Sequence, residues 1–296
     1  MEKGGKTLGI VGASGFIGSA LARQAVANGW RVVGFSRQER SPSRSVTEWR
    51  VWGERPEVEG IHVLVNLAGE SIAQRWTQER KKVFRASRVG VTSRLVEAIK
   101  AAERPPEVLI NGSAVGIYGD RGDEVLTESS VRGEGYLADL CEDWEQAAVA
   151  LEGGACRVVR LRTGVVLGAG GDAWGRMKRV FSLGAGGRLG KGDQWMPWIH
   201  IDDLVSAILF LAANELSGPV HGTAPEPVKN EDFTRHLASS LGRPAFFHAP
   251  EWVLKRVLGD FSTALLASQR ALPEALLREG FCFRFPTLEE ALEDLS

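Results

Sequence analysis

The chain is short of several things, and each shortage narrows what it can do. It has three cysteines in 296 residues, Cys141, Cys156 and Cys282. They are scattered and odd in number, with no CxxC and no Cys/His spacing of a zinc site, so neither a disulfide framework nor a metal site is expected. The thiols are expected to be buried and free, in a reducing compartment. Charge of one sign is also missing. Lys+Arg is 36 against 37 Asp+Glu, a formal net charge of −1, which argues against a nucleic-acid partner or an anionic membrane surface. No apolar run approaches the roughly 20 residues that span a bilayer. The opening Met1-Glu2-Lys3-Gly4-Gly5-Lys6 carries no apolar leader, so a cytoplasmic protein without a membrane partner is expected. Only two tyrosines are present, so any phenol-based proton transfer must use Tyr118 or Tyr136.

What is present is the patterning of a globular α/β chain. Hydrophobic residues make up 44% and charged residues 25%, and the length suffices for a sizeable core without staples. Strand-like segments at 7–11, 31–35, 46–52, 61–66, 107–112 and 156–161 alternate with helical patterns at 16–28, 77–102 and 136–151, the second of them expected to break near Ala86. Strands recurring with helices between them mean βαβ units, a parallel sheet and helices on both faces. The expected fold class is therefore α/β, a Rossmann-type doubly wound parallel sheet with a small, mainly helical C-terminal domain. Residues 1–225 are expected to form the first domain, with 168–200 as a substrate-side insertion containing a helix at 173–183. A strand at 198–201 follows, then a helix through Ala213 with Asp202 as its N-cap. Residues 226–296 form the second domain. Asn230 is expected to cap a helix that buries Phe233, Leu237 and Leu241 and closes at Gly242. Further helices are expected at 252–258, 264–272 and 288–295.

The segment Gly12-Ala13-Ser14-Gly15-Phe16-Ile17-Gly18 lies between the first strand and the first helix. Glycines at this spacing permit a tight turn, a close backbone approach to a pyrophosphate, and close packing of helix on strand. The helix N-terminus then offers free N–H groups and a positive dipole end to phosphates, with Ser14 as an added donor. After the second strand the chain reads Ser36-Arg37, with no acid at the place that would bind a free ribose 2′-hydroxyl. An arginine there can pair with a 2′-phosphate, so NADP(H) is the expected cofactor and NAD the less favoured one.

These residues carry a resemblance. The glycine loop, Asn66-Leu67-Ala68-Gly69 and Tyr118-Gly119 resemble an extended short-chain dehydrogenase/reductase. The segments around Ser87-Arg88-Val89, Trp144-Glu145, Arg162-Thr163-Gly164-Val165-Val166-Leu167-Gly168, Trp198-Ile199-His200-Ile201 and 280–292 are similar to the atypical "epimerase family protein" subgroup, over essentially the whole chain. The resemblance implies a cofactor lined by Leu67, Ala68 and Gly69, with Arg88 close to it and Val165 beside the nicotinamide end. The alternative for Arg88 is a salt bridge on the helix surface. A homodimer is common among such proteins.

The same resemblance puts the chemistry in question. The family's catalysis uses a serine, a tyrosine and, one helical turn after the tyrosine, a lysine that lowers the phenol's pKa. Tyr136 occupies the tyrosine position, but the lysine position is Leu140. The serine position falls on Ala114, with Ser113 one place early and expected on the other side of an extended strand. Tyr136 and Ser113 are thus the candidate catalytic residues of an incomplete set, unless Tyr136 is simply a packed ring. Glu142, Asp143 and Glu145 are expected to face solvent or cap a helix, and Tyr118 to line a pocket wall. His200 is expected to be a buried, hydrogen-bonded strand residue. Arg188 or Lys191, in a glycine- and tryptophan-rich loop, can bind an anionic substrate group.

Two functions are consistent with this reading. One is an NADP-dependent oxidoreductase or nucleotide-sugar epimerase acting on a small polar metabolite. The other is a non-catalytic NADP(H)-binding sensor or protein-interaction module, for which the resemblance suggests a link to cell division.

Overall fold

A computed structural model describes residues 5–296; the expected lack of a leader at residues 1–4 lies outside them. Seven parallel strands form the central sheet: β1 (Thr7–Val11), β2 (Arg31–Ser36), β3 (Glu48–Val51), β4 (Val63–Asn66), β5 (Val108–Ala114), β6 (Arg157–Thr163) and β7 (Gly218–Gly222). Their order is β7-β6-β5-β4-β1-β2-β3. The chain starts in the middle, runs outward through β2 and β3, then returns to lay down β4 on the other side of β1. The crevice at the carboxyl ends of β1 and β4 is the point where the winding reverses, and open α/β sheets bind ligands at such points.

Among the described residues eleven α-helices accompany the sheet: α1 (Phe16–Ala27), α2 (Gln78–Arg85), α3 (Val91–Ala101), α4 (Tyr136–Val149), α5 (Asp172–Ser182), α6 (Ile201–Ala213), α7 (Asn230–Ser240), α8 (Glu251–Leu258), α9 (Phe261–Leu266), α10 (Glu274–Arg278) and α11 (Leu288–Leu295). Alternation along the strands divides the core between the faces. Leu8, Ile10, Val63 and Val65 pack with α1 and α6 on one side. Val11, Val33, Leu64 and Leu109 pack with α3 and α4 on the other. A third apolar cluster joins Leu167 and Trp198 to α7 and α11 through Phe233, Leu237 and Leu292, so residues on both sides of position 225 share one core. Among the described residues no helix is long and apolar enough to cross a membrane.

Several local expectations are corrected. The break near Ala86 is a π-helical turn, Ala86–Gly90, joining α2 to α3. α6 is capped by the His200 side chain, whose Nδ1 accepts the Asp202 amide at 3.3 Å, so Asp202 lies in the first turn and is not the cap. Asn230 opens α7 from inside the helix, and its side chain accepts the Leu189 amide at 2.8 Å. Residues 264–272 are not one helix: α9 ends at Leu266, and Arg270–Ala271 forms a short strand beside Val125–Leu126. β7 and α10 were not anticipated, because Gly218-Pro219-Val220-His221-Gly222 has two glycines and a proline and little strand character. Cys141 and Cys156 are buried thiols pushed up by burial to about 12 and about 11, but Cys282 is exposed.

Candidate functional site

The loop after β1 has the geometry of an anion cradle. Gly12 has φ of +88°, a conformation that L side chains rarely adopt. A Cβ there would also meet the Leu67 backbone at 3.1 Å. A Cβ on Gly18 would overlap the Gly12 carbonyl, so α1 can lie on the loop only if position 18 is glycine. Gly15 is the N-cap of α1 and no side chain caps it. The first-turn amides, those of Phe16 and Ile17 among them, therefore have no side-chain partner, and with the helix dipole they form a phosphate-sized positive end. Ser14 is exposed at the lip of this turn. β1 and β2 pair with Val11 opposite Phe35, so Gly12 and Ser36, the last residue of β2, follow side by side at the sheet's carboxyl edge. Arg37 is exposed there. Arg40, which the sequence reading missed, donates to Ser36 Oγ at 3.1 Å and sits 5.2 Å over the Trp49 ring. The Arg40 guanidinium thus stands on the Ser36 hydroxyl, with Arg37 next to it in the chain.

The end of β4 is fixed from below by a buried amide chain. Asn66 Nδ2 donates to Thr92 Oγ1 at 2.9 Å and to Asn111 Oδ1 at 2.7 Å, and Trp144 Nε1 donates to the same Thr92 oxygen at 3.0 Å. With every partner satisfied, this chain holds the Leu67–Gly69 turn against β1, where the Leu67 amide donates to the Val11 carbonyl at 2.9 Å. Arg88 projects from the π-turn over this segment. Its guanidinium carbon would stand 3.0 Å from a Cβ on Gly69, it donates to the Glu70 carbonyl at 3.0 Å, and it rests on the Trp144 ring at 5.3 Å. No carboxylate within the described residues pairs with it, so the surface salt bridge is not formed. Burial lowers its pKa, yet an arginine stays charged. An extra residue inserted as a π-turn re-aims the side chains that follow, which is how π-turns commonly serve sites.

The candidate hydroxyls fall in separate networks. Tyr136 is the first residue of α4. Its ring packs 5.2 Å from Trp76, with Lys81 Nζ 4.8 Å from the ring centroid, and its hydroxyl donates to the Lys81 carbonyl at 3.3 Å. Burial raises the Tyr136 pKa, with Arg88 and Arg85 opposing it. A phenol donating to a carbonyl is held neutral, opposite to what the missing lysine would do. Leu140, at that lysine's position, is 4% exposed and packs with Trp76 and Phe84. Ser113 is buried, and its hydroxyl donates to Glu145 Oε1 at 2.7 Å.

That glutamate overturns an expectation: Glu145 faces the core, not solvent, and is 2% exposed. Arg162 pairs with it through two parallel bonds of 2.8 and 2.9 Å and donates to Tyr118 Oη at 2.6 Å. Burial works to lower the Arg162 pKa, but Glu145 wins and raises it. Tyr118 is not a pocket wall. It is fully buried, its phenol pushed up by burial to about 12. Its oxygen lies 2.6 Å from His221 Nε2, whose Nδ1 faces the Leu272 carbonyl at 2.8 Å. Because a carbonyl only accepts, Nδ1 carries the proton; the single Tyr118 hydrogen is shared between Nε2 and the Thr127 carbonyl, which lies 3.0 Å from the phenol oxygen. His221 is kept neutral, its pKa lowered by burial. Ser113, Tyr118-Gly119, Trp144-Glu145 and Arg162-Thr163-Gly164 each stand out in the sequence, but nothing there links them to one another. Glu142 and Asp143 do face outward, pairing with Arg132 and Arg85.

The segment after β6 packs against the first turn of α1. Val165 begins a short strand, Val165–Leu167, paired in parallel with Trp198–His200. A Cβ at Gly168 or Gly171 would come within 2.8 Å of the Phe16 ring, so the chain here lies directly on the first residue of α1. His200 is buried as expected, with a pKa lowered by burial and Nε2 3.5 Å from Asp294. Among the described residues no group of three metal-ligating side chains forms.

Comparison with known proteins agrees with this architecture. Residues 8–223 match the NAD dependent epimerase/dehydratase family, and residues 249–295 match a domain of unknown function, DUF1731. The chain is 41% identical over 292 residues to the epimerase family protein Mb2239 of Mycobacterium bovis, covering 96% of this chain and 95% of that protein. It is 37% identical over 299 residues to a chloroplastic epimerase family protein SDR39U1 homolog of Arabidopsis thaliana, covering 97% of this chain and 85% of the relative. The crystal structure of human epimerase family protein SDR39U1 with NADPH superposes with a TM-score of 0.91 at 34% identity, covering 97% and 98% of the two chains.

Proposed function

Because the chain belongs to the NAD dependent epimerase/dehydratase family, we propose that it binds NADP(H) and acts as an oxidoreductase or nucleotide-sugar epimerase on a small polar substrate. The observation that carries this reading is the uncapped N-terminus of α1, under the close-approach glycines Gly12 and Gly18 and beside Ser36–Arg37. In this reading the amides after Ser14 and Gly15, at Phe16 and Ile17, hold the diphosphate. Ser36 and Arg37, with Arg40, take the 2′-phosphate. Leu67, Ala68 and Gly69 line the dinucleotide, Arg88 approaches it from the π-turn, and Val165 lies at the nicotinamide end. The bound cofactor supplies hydride exchange. Tyr136 and Ser113 are the candidate proton-handling hydroxyls. The proposal includes a cytoplasmic location, a homodimer, and residues 226–296 as a small helical domain carried on the first.

A second reading is favoured by one observation: the apolar burial of Leu140 beside a Tyr136 hydroxyl already donating to a carbonyl. A site so arranged can bind cofactor without turning it over and report its state to a partner, a link to cell division being one such role. Calorimetric titration with NADPH tests the shared premise, and lack of affinity for either nicotinamide dinucleotide would sink both readings. Turnover of NADPH against a panel of carbonyl metabolites and nucleotide sugars then separates them. Loss of that turnover in Tyr136→Phe supports catalysis, whereas full retention removes Tyr136 from it. The sensor reading needs a partner whose affinity changes with cofactor, and linkage demands the reciprocal change.

A further inference from the structure

α5 packs on one part of the molecule and reaches across another. Its buried side chains, Trp174 and Phe181, belong to the apolar cluster that holds α7 and α11, and to neither of the cores beside the sheet. Lys178 ties it to the same body, donating to the Leu295 carbonyl of α11 at 3.1 Å. Toward the crevice, the segment that opens α5 touches both walls. On the α1 side, a Cβ on Gly168 or Gly171 would stand 2.8 Å from the Phe16 ring. On the β4 side, Arg176 donates to the Ala73 carbonyl at 3.0 Å, in the chain that follows the Leu67–Gly69 turn. Among the described residues this is the one hydrogen bond between α5 and that chain. The Ala73 end is firm, because Trp76 beside it is buried and its Nε1 donates to the Ile72 carbonyl at 2.9 Å. Residues 168–176 thus run from the helix that follows β1 to the loop that follows β4, and those two strands are neighbours in the sheet. Glycines with φ of +88° at Gly170 and +71° at Gly184 bracket α5.

The two crevice contacts are of a different kind from the rest of the packing of α5. The glycine–ring contact breaks no polar bond when it parts, and the arginine bond lies in solvent, so both separate at small cost. The contacts with α7 and α11 are buried and close-packed, so they hold α5 as one piece. A packed element flanked by a few residues that absorb the backbone change is the construction of a lid. A dinucleotide seated on the first-turn amides of α1 would have its diphosphate beside Phe16, and so beside Gly168 and Gly171. We propose that α5 with residues 168–171 is a strap that has to lift for the dinucleotide to enter or leave, and that the Arg176–Ala73 bond is its latch. The inference rests on the proposed dinucleotide site and adds that the protein itself gates exchange there. The latch joins two parts of the protein and does not touch the ligand. Its loss therefore changes entry and exit together and leaves affinity nearly unchanged.

Stopped-flow mixing of the full chain with NADPH, read by the nicotinamide fluorescence, tests the strap. The observed rate is expected to level off as NADPH is raised, at the frequency with which the strap lifts. Arg176→Ala should raise that plateau and the release rate together, by up to about tenfold, while the equilibrium Kd moves less than about threefold. Gly171→Ala is a second variant on the opposite wall. Its backbone, φ −79° and ψ 136°, suits an alanine, and the added methyl presses on the Phe16 ring. The segment is then wedged off α1, and both rates should rise again. Unchanged thermal midpoints would show that the two variants fold. An observed rate that stays linear in NADPH, with entry and release unaltered in both variants, overturns the strap. So does an Arg176→Ala variant that weakens NADPH through release alone, because that makes Arg176 a contact of the ligand. Complete absence of NADPH binding would remove the dinucleotide site and the strap with it, whereas normal binding with kinetics indifferent to both variants removes the strap alone.

Discussion

The two halves of the sheet's carboxyl edge are finished in opposite ways. At β1, β2 and β4 the polar groups are offered outward: helix amides without a cap, Arg37 in solvent, Arg88 without a carboxylate. At β5, β6 and β7 they are spent on one another. Ser113, Glu145, Arg162, Tyr118 and His221 form one buried chain of hydrogen bonds. The first arrangement has capacity for a ligand, and the second has almost none left. The difference teaches that one edge of a sheet can leave its polar groups available while the other pairs them internally.

The largest effect should come from breaking the scaffold half. Glu145→Ala leaves Arg162 buried with its charge uncompensated, which costs about 3–5 kcal/mol. The midpoint of urea unfolding should fall accordingly, and an unchanged midpoint would mean that the lattice is not structural. Leu140→Lys restores the family's missing lysine, but it places an ammonium in the apolar cluster of Trp76 and Phe84. It should cost about 2–5 kcal/mol, the range for losing a buried leucine, and gain no reductase activity. A variant that folds normally and reduces substrates would erase the contrast.

Acid sharpens the comparison further. His221 and His200 are held neutral, both lowered below the ordinary value of 6.5 by burial. The unfolded chain takes up protons below about pH 6.5 that the folded chain refuses, so stability should fall as pH drops through that range. Tyr118 acts at the other end. Its folded pKa of about 12 lies above the unfolded value near 10, so its contribution is present below pH 10 and lost as pH climbs toward 12. Denaturant midpoints across pH check both limbs, and a flat acid limb would contradict the neutral histidines. The smallest effect belongs to Tyr136→Phe, which removes one 3.3 Å bond to a carbonyl and should cost less than about 1 kcal/mol.

What the sequence disclosed follows the same divide. The cradle was legible because glycine is forced there by backbone geometry: Gly12 by its positive φ and Gly18 by its approach to Gly12. The alternating apolar strands announced β1, β2, β4, β5 and β6 for the same local reason. The scaffold half was opaque because its logic is long-range. Ser113 and Glu145 are 32 residues apart and Tyr118 and His221 are 103 apart, and nothing local marks Glu145 as buried among the acidic residues of α4. β7 was missed because its place comes from pairing with β6, against its own weak strand propensity. Arg40 lay three residues beyond Arg37 in a loop without periodicity, where only the fold brings it to Ser36. Arg88 needed the π-turn, and although a break was foreseen near Ala86, its helical type was not.

The central claim is that the open half grips a dinucleotide through α1 and recognises a 2′-phosphate through Arg37. Affinities for NADPH and NADH, measured in parallel on the native chain and on Arg37→Ala, test it most directly. The account predicts tighter binding of NADPH, and a loss of about 10- to 150-fold for NADPH alone in the variant, equivalent to about 1.5–3 kcal/mol of charged hydrogen bonding. Equal losses for the two dinucleotides, or tighter binding of NADH by the native chain, would contradict it.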